Sequence, residues 1–266
     1  MENQKLEFKL PPVSVVIPAY NEEKCVKAAI DSILKSGFPC ELVVVDDGST
    51  DKTPEVLRDF GLQIRVFTHE KNRGKAAAMA TGVKNAREEI IVFTDADIIG
   101  LNRFHLLMLT LPLIEKESDA VIGVLTEERP SLTEIGPSFW WLVSGLRAYY
   151  KNDLLPLIPR FEKLGYGIEI FLYRRFRKKK TLVMPLSGLS HPLKADKLSL
   201  EKASFHYLKE GTEIFKAAAE AGGLSPNEKN KLLLLFRKYA RIGRQKTAKY
   251  LKLSKKILTK TINQQK

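Results

Sequence analysis

The chain has 266 residues, of which 44% are hydrophobic, and this size and composition suit one globular α/β domain with an appended segment. Its longest purely apolar runs, such as residues 232–236, are far too short to cross a bilayer, so we expect no membrane-spanning segment. The polar residues 1–12 lack the apolar core of a secretory signal, so we expect a cytoplasmic protein.

The formal charge of +13 is concentrated in the tail. From Lys194 to the end there are 18 lysines and arginines against 6 acids, whereas the preceding residues have 26 against 25. Charge alone does not show whether the basic tail binds nucleic acid, binds anionic lipid or only keeps the protein soluble. The helical, basic pattern beyond this point divides the chain into a main domain over residues 1–202 and a basic helical extension over residues 203–266.

The elements predicted in the first half alternate between strand and helix. Residues 13–17 form an apolar run that ends at Pro18 and predicts a buried strand of a parallel sheet. A helix should follow, with Asn21 as its cap and an apolar stripe at helical spacing. Further strands are expected over residues 41–45, 62–67, 90–94 and 120–124, and helices up to about residue 60 and over residues 75–86.

This alternation predicts crossover units, and therefore a mainly parallel sheet with helices on both faces. Ligands of such a sheet bind at the carboxyl ends of its strands. Residues 137–180 are less regular: an apolar helix opens near Trp140, two prolines interrupt it, and a new segment begins at Gly165. Residues 182–184 predict one more strand.

Two polar motifs follow the first two predicted strands, namely Pro18-Ala19-Tyr20-Asn21-Glu22-Glu23 and Asp46-Asp47-Gly48-Ser49-Thr50-Asp51. With these segments the chain resembles family 2 glycosyltransferases, whose nucleotide-binding strand ends they look like. The resemblance implies an α/β fold of the GT-A type and a nucleotide-sugar donor. The alternative is that these residues only cap helices and build turns.

The resemblance also implies donor-binding roles for particular residues. The exposed backbone of Pro18 and Ala19 would contact a base edge, and Tyr20 would lie against the ring. Asp47 would accept a hydrogen from the uracil imide, and Glu22 would belong to the same donor site.

Asn72-Arg73-Gly74-Lys75 opens the helix after the third strand. Free amide groups at a helix start beside a lysine favour an anion such as a diphosphate. The resemblance assigns a donor-binding role to Lys75.

Thr94-Asp95-Ala96-Asp97 follows an apolar strand, and side chains two apart on extended chain point to one side, so we expect the two carboxylates to converge. Mg²⁺ or Mn²⁺ would remove the repulsion between them. By resemblance, Asp95 and Ala96 belong to the donor site and Asp97 binds the metal.

Gly165-Tyr166-Gly167-Ile168-Glu169 places an acid at the start of a predicted helix. By resemblance, Glu169 faces the acceptor and acts as general base in an inverting enzyme, although it also fits an ordinary first-turn acid. His191 lies where some GT-A enzymes, including those resembling glucosyl-3-phosphoglycerate synthase, complete the metal site. Nothing comparable indicates that the other histidines, His69, His105 and His206, bind a metal. Whether the enzyme inverts or retains the configuration at the anomeric carbon stays open.

We expect one sugar to be transferred from a UDP-sugar, or secondarily a GDP-sugar, to a lipid-phosphate, membrane glycan or small phosphorylated acceptor. The chain is also similar to the dolichyl-phosphate sugar synthases. Candidate acceptor-binding residues are Arg174, Arg175, Trp140 and Trp141.

About six basic tail side chains at roughly 1 kcal/mol each would hold the protein reversibly at the inner face of the cytoplasmic membrane, while a solvated appendage explains the tail equally well. No nucleic-acid partner is expected. The alternatives are a non-catalytic membrane- or nucleic-acid-binding protein, and a sugar-phosphate nucleotidyltransferase, which would need a glycine-rich loop after its first strand.

Overall fold

Seven strands run through the residues that the computed structural model describes, which are 12–126, 144–161 and 164–190. The strands are β1 Val13–Ala19, β2 Glu41–Asp46, β3 Arg65–Thr68, β4 Ile90–Phe93, β5 Ala120–Thr126, β6 Arg147–Tyr150 and β7 Thr181–Ser187. The helices are α1 Val26–Lys35, α2 Thr53–Arg58, α3 Lys75–Asn85, α4 Arg103–Ile114, α5 Lys151–Leu154, α6 Ile158–Phe161 and α7 Ile168–Phe176. None of the helices in this part of the chain combines the length and the apolar character that a bilayer span requires.

The strands form one mainly parallel sheet in the order β3-β2-β1-β4-β6-β5-β7. β1 pairs in parallel with β2 and β4, β2 with β3, and β5 with β7. β6 is antiparallel to both β4 and β5, so it is the one reversed strand of the described sheet. The carboxyl ends of the remaining strands therefore lie at the same edge.

Helices cover both faces of this sheet, as the alternation of elements predicted. On one face α1, α2 and α4 pack over side chains such as Val15 and Ile17. On the other face α3, α5, α6 and α7 pack over side chains such as Val16 and Phe93. Gly82 brings α3 close to the sheet, because any Cβ at this position would overlap Val16.

The predicted strands over 13–17, 41–45, 90–94, 120–124 and 182–184 are confirmed as β1, β2, β4, β5 and β7. Pro18 does not end β1, however, and pairs in register with Val45. The ladder between β1 and β4 ends at Val16, so Pro18 costs no hydrogen bond on that side. β3 begins later than expected, at Arg65, because Gly61–Gln63 forms a 3-10 turn.

Two elements were not predicted. β6 lies where the sequence suggested irregular structure, and its Arg147 is fully buried although a charged side chain breaks an apolar strand pattern. α4 lies between β4 and β5, and every residue from His105 to Leu113 is buried. A helix that is apolar all round has no amphipathic stripe, so the pattern on which helix prediction depends is missing.

Gly48 allows the chain after β2 to pass directly beneath the loop that precedes α3. It has φ +72°, and a Cβ there would lie 2.5 to 2.8 Å from main-chain atoms of Lys71 and Asn72. We expect Gly48→Ala to lower the free energy of unfolding by roughly 2–4 kcal/mol, because backbone strain adds to the displacement of that loop. Urea denaturation measures this loss.

Gly61→Ala is the matched control, since Gly61 has φ +52° but nothing within 4 Å of its Cβ position. It should show the strain alone, roughly 1–2 kcal/mol. Equal losses in the two variants would contradict a role for the close contact at Gly48.

Candidate active site

The loops that follow β1 and β2 are tied to each other. The side-chain oxygen of Asn21 accepts from the main-chain nitrogen of Thr50 at 2.8 Å. The main-chain nitrogen of Asn21 donates to Ser49 Oγ at 2.9 Å. The nitrogen of Glu22 donates to Thr53 Oγ1 at 2.8 Å. The prediction that Asn21 caps α1 was therefore wrong: it has φ +56°, and α1 begins only after a further turn. The two predicted nucleotide-binding motifs form one connected rim at the carboxyl edge of the sheet.

The end of β1 is less open than the sequence predicted. Ala19 is 2% exposed, and its carbonyl accepts from the nitrogen of Asp47 at 2.8 Å. Pro18 and Tyr20 are half-buried. The backbone of Ala19 is thus buried against β2, and Pro18 and Tyr20 are the more accessible of the three predicted base contacts.

The carboxylate of Asp47 holds the start of α3. It accepts from the main-chain nitrogens of Arg73 at 3.0 Å and Gly74 at 2.7 Å, and from His69 Nδ1 at 2.6 Å. These two amide groups, which precede α3, are therefore bonded to Asp47 and are not open to a diphosphate. A carboxylate offers about four acceptor positions, so one remains for a ligand.

Lys75, the first residue of α3, joins two predicted site residues. Its Nζ lies 2.6 Å from Asp95 Oδ1 and 2.7 Å from Glu169 Oε1. The three side chains are 16%, 24% and 4% exposed, respectively. The structure therefore brings together the predicted donor-binding lysine, the first acid of the Asp95-Ala96-Asp97 motif and the predicted base.

This arrangement fixes the charge of the lysine. Burial by itself lowers the pKa of Lys75, but the neighbouring carboxylates of Asp95 and Glu169 raise this pKa above its ordinary value. Lys75 is consequently a cation throughout the physiological range. One ammonium and two carboxylates leave the cluster with a net negative charge.

Two residues that sequence reasoning missed support the cluster from β6 and the segment before it. A Cβ on Gly145 would overlap the carboxylate of Asp95, so only glycine allows this close approach. The buried guanidinium of Arg147 donates to the carbonyl of Ser144 at 2.7 Å and to the carbonyl of Glu169 at 3.3 Å. A lone Ser-Gly-Leu-Arg segment carries no signal that would predict either role.

The chain turns between Asp95, predicted to bind the donor, and Asp97, predicted to bind the metal. The nitrogen of Ile98 donates to the carbonyl of Asp95 at 3.2 Å, so the expectation of two side chains projecting from extended chain was wrong. Asp97 lies in this turn and is 5% exposed, as is appropriate for a carboxylate with partners, and Ala96 is buried beside it. Among the described residues there is no group of three or more acids, histidines and cysteines with metal-binding geometry.

The end of β7 lies beside the segment that follows Asp97. Ser190 and Ile99 exchange main-chain hydrogen bonds of 2.9 and 3.0 Å. His105 Nε2 donates to the carbonyl of Ser187 at 2.9 Å, and burial lowers the pKa of His105. His191, the predicted metal ligand, lies just outside the described residues, although its neighbour Ser190 is placed close to the turn of Asp97.

Among the candidate acceptor-binding residues, Arg174 and Arg175 do not lie at this edge. Arg174 and Arg175 lie in the last turn of α7, which runs from Glu169 toward the start of β7 at the opposite edge of the sheet. One guanidinium nitrogen of Arg174 is buried, and no hydrogen bond to it is found within the described part of the chain. Trp140, Trp141 and the basic extension over residues 203–266 lie outside the described residues.

Comparison with known proteins agrees with this geometry. Residues 14–179 match the model of glycosyl transferase family 2. The chain belongs to this family. Its resemblance to family 2 glycosyltransferases, first indicated by the motifs after β1 and β2, is thereby confirmed.

Several relatives are similar to this chain over part of their length. An uncharacterized protein of Methanocaldococcus jannaschii is 40% identical over 171 residues, which cover 62% of this chain and 60% of that protein. The glycosyltransferase YaiP of Escherichia coli is 29% identical over 192 residues, 71% of this chain and 46% of that protein. Human dolichyl-phosphate beta-glucosyltransferase is 39% identical over 106 residues, 35% of this chain and 32% of that protein. The chain thus spans less than two thirds of the length of each of these relatives.

Solved family 2 structures share the fold. Glucosyl-3-phosphoglycerate synthase from Mycobacterium tuberculosis, in complex with phosphoglyceric acid, gives a TM-score of 0.61 at 24% identity and covers 81% of this chain and 82% of that one. The same protein in complex with Mg²⁺ and UDP gives 0.54 at 26% identity, with 68% and 72% covered. The GT-A fold that the sequence predicted is confirmed.

The ion-pair cluster yields a thermodynamic prediction. Lys75→Met keeps the aliphatic stem but removes the cation, and we expect a loss of roughly 3 kcal/mol in the free energy of unfolding, because two carboxylates lose their counter-ion. Adding Glu169→Gln should recover at least about 1 kcal/mol, since one of the two stranded charges is then removed. Urea denaturation of both singles and the double variant at pH 7 measures the coupling.

Lys35→Met is the control for this cycle. Lys35 pairs with Asp31 at 3.4 Å, but its side chain is 78% exposed. The change should cost less than about 0.5 kcal/mol. Strictly additive effects at positions 75 and 169 would show that the two residues are not energetically coupled.

Proposed function

We propose that the protein is a glycosyltransferase that moves one sugar from a nucleotide-sugar donor to an acceptor hydroxyl or phosphate. The observation that carries this proposal is the cluster of Lys75, Asp95 and Glu169 at the carboxyl edge of the sheet. This edge is where ligands of parallel α/β sheets bind, and the family match covers all three residues.

A UDP-sugar is the favoured donor, with a GDP-sugar as the second candidate. The remaining acceptor position of Asp47 suits the N–H group of a base, and Pro18 and Tyr20 lie at the end of the neighbouring strand β1. The complex of glucosyl-3-phosphoglycerate synthase with Mg²⁺ and UDP supports a uridine nucleotide. Glu22 and Ala96 belong to the loops around this donor site rather than to the ion-pair cluster.

A divalent cation would be held by Asp97, with Asp95 beside it. Carboxylate oxygens are hard ligands, and a nearly buried acid at a turn beside the site is a suitable donor for Mg²⁺ or Mn²⁺. His191 is proposed as a further ligand, because its neighbour Ser190 pairs with Ile99 close to Asp97. When bound, the ion would stabilise the charge that develops on the departing nucleoside diphosphate.

Glu169 is the proposed general base for the acceptor hydroxyl. In the present arrangement its side chain is 4% exposed and paired with Lys75, so an acceptor cannot reach it. A donor diphosphate near the start of α3 would compete for the ammonium of Lys75. Withdrawal of that ammonium would free Glu169 to take the acceptor proton.

The acceptor is proposed to be a lipid phosphate, a membrane glycan or a small phosphorylated molecule. The similarity to dolichyl-phosphate beta-glucosyltransferase supports the first of these. The acceptor would be contacted by Trp140, Trp141 and the basic extension. The protein would lie at the surface of an anionic membrane. Arg174 and Arg175 would need an acceptor that extends along α7.

Calorimetric titration tests the donor site. UDP, GDP, UDP-glucose and GDP-mannose are titrated into the protein with and without Mn²⁺. We expect UDP and UDP-glucose to bind in the presence of the metal, and Asp97→Ala to weaken this binding at least about tenfold, because a direct ligand of the ion is lost.

Asp59→Ala is the matched control, because Asp59 is an exposed acid at the end of α2, away from the site. It should bind as the unaltered protein does. Binding that is independent of metal and unchanged by Asp97→Ala would contradict the proposed metal site. No nucleotide binding under any condition would contradict the proposed function.

A further inference from the structure

His69 forms a buried link between two elements of the site. It follows β3, is 8% exposed, and its Nδ1 lies 2.6 Å from Asp47 Oδ1. Its Nε2 lies 2.9 Å from the hydroxyl of Thr81 on α3, and its main-chain nitrogen donates to the carbonyl of Asp46 at 2.9 Å. The imidazole is therefore fixed on both sides of its ring and at its backbone.

The direction of these hydrogen bonds follows from chemistry. An ionised carboxylate only accepts hydrogen bonds, so Nδ1 of His69 carries a hydrogen and donates it to Asp47. A hydroxyl both donates and accepts, so Thr81 satisfies Nε2 in either protonation state of the ring. His69 thus supplies the Asp47 carboxylate with a ring N–H donor.

Because His69 fixes the orientation of the Asp47 carboxylate, Asp47 in turn fixes the backbone at the start of α3. Its carboxylate accepts from the nitrogens of Arg73 and Gly74, and Gly74 has φ +95°, which places the loop in one backbone conformation. The next residue is Lys75. A rotation of the Asp47 carboxylate would release both amides and move the residue that bridges Asp95 and Glu169.

We propose that His69 is a positioning residue of the donor site: it orients the Asp47 carboxylate, which fixes the 73–74 backbone and hence Lys75. This inference rests on the proposed function, because it assigns His69 to the same donor site. His69 also determines which acceptor positions of Asp47 remain. Oδ1 accepts two hydrogens and Oδ2 accepts one, so the remaining capacity lies on Oδ2.

Two substitutions separate the two ends of the ring. The amide nitrogen of asparagine takes the place of Nδ1, so His69→Asn keeps a donor for Asp47 and loses the contact with Thr81. The longer glutamine places its amide near Nε2, so His69→Gln keeps the contact with Thr81 and loses the donor. Both variants remove the ring and retain an amide, which makes them matched controls for each other.

The first readout needs no ligand. Hydrogen exchange of the Arg73 and Gly74 amides is followed by NMR in the full chain. We expect exchange to be faster by roughly tenfold or more in His69→Gln and close to the unaltered rate in His69→Asn, since a hydrogen bond to a charged group is lost only in the first. Equal exchange in the two variants would overturn the proposed orientation of Asp47.

The second readout is the affinity for UDP with Mn²⁺. We expect His69→Gln to bind roughly tenfold more weakly and His69→Asn to retain its affinity, at equal thermal stability. Equal weakening in both variants, or none in His69→Gln, would overturn the inference in favour of a packing role. If the unaltered protein bound no nucleotide while the exchange contrast persisted, the proposed function would fail and His69 would stand as a positioning residue of the loop alone.

Discussion

The ammonium of Lys75 is shared by two carboxylates that reach it from different parts of the chain, Asp95 after β4 and Glu169 at the start of α7. At separations of 2.6 and 2.7 Å and an effective dielectric of about 20, each pair attracts by roughly 6 kcal/mol before desolvation is subtracted. Desolvation of three charged groups offsets much of this gain. The positions therefore depend on one another, because removal of the Lys75 ammonium leaves two neighbouring carboxylates without their counter-ion.

Main-chain contacts fix the positions of the residues in this cluster. Gly48 lets the 71–72 backbone pass close to β2, and Asp47 then holds the 73–74 amides. Gly145 lies against the carboxylate of Asp95 on the other side. In each case a loop is fixed by a glycine contact or a buried carboxylate, so the flexible lysine side chain needs little further ordering once its Cα is placed. Loops that carry function are positioned here by a rigid sheet.

The elements that the sequence predicted are those with a regular apolar pattern. β1, β2 and β4 have such patterns. The motifs at the start of α3, after β4 and before α7 led to Lys75, Asp95 and Glu169, which the fold brings together. The missed features lack local signals. Arg147 is a buried charge that contacts the carbonyl of Glu169, 22 residues away, and α4 is apolar on every side. His69 is an isolated histidine in the sequence, and only folding places it against Asp47. Folding likewise brings Asp47 from the end of another strand to the amides of residues 73–74.

The charge balance of the site also bears on how a donor would enter. Lys75 is the cation of the cluster, and its charge is already exceeded by the two carboxylates that it contacts. Asp97 adds a further acid in the adjoining turn. A nucleoside diphosphate brings additional negative charge to this edge, and like charges a few ångströms apart in a partly buried site repel by several kcal/mol. Binding therefore requires either a rearrangement of Lys75 toward the diphosphate or positive charge that arrives with the donor. The divalent cation proposed at Asp97 would satisfy the second condition and would leave Lys75 free to satisfy the first, so that metal binding and the release of Glu169 would be two parts of one event.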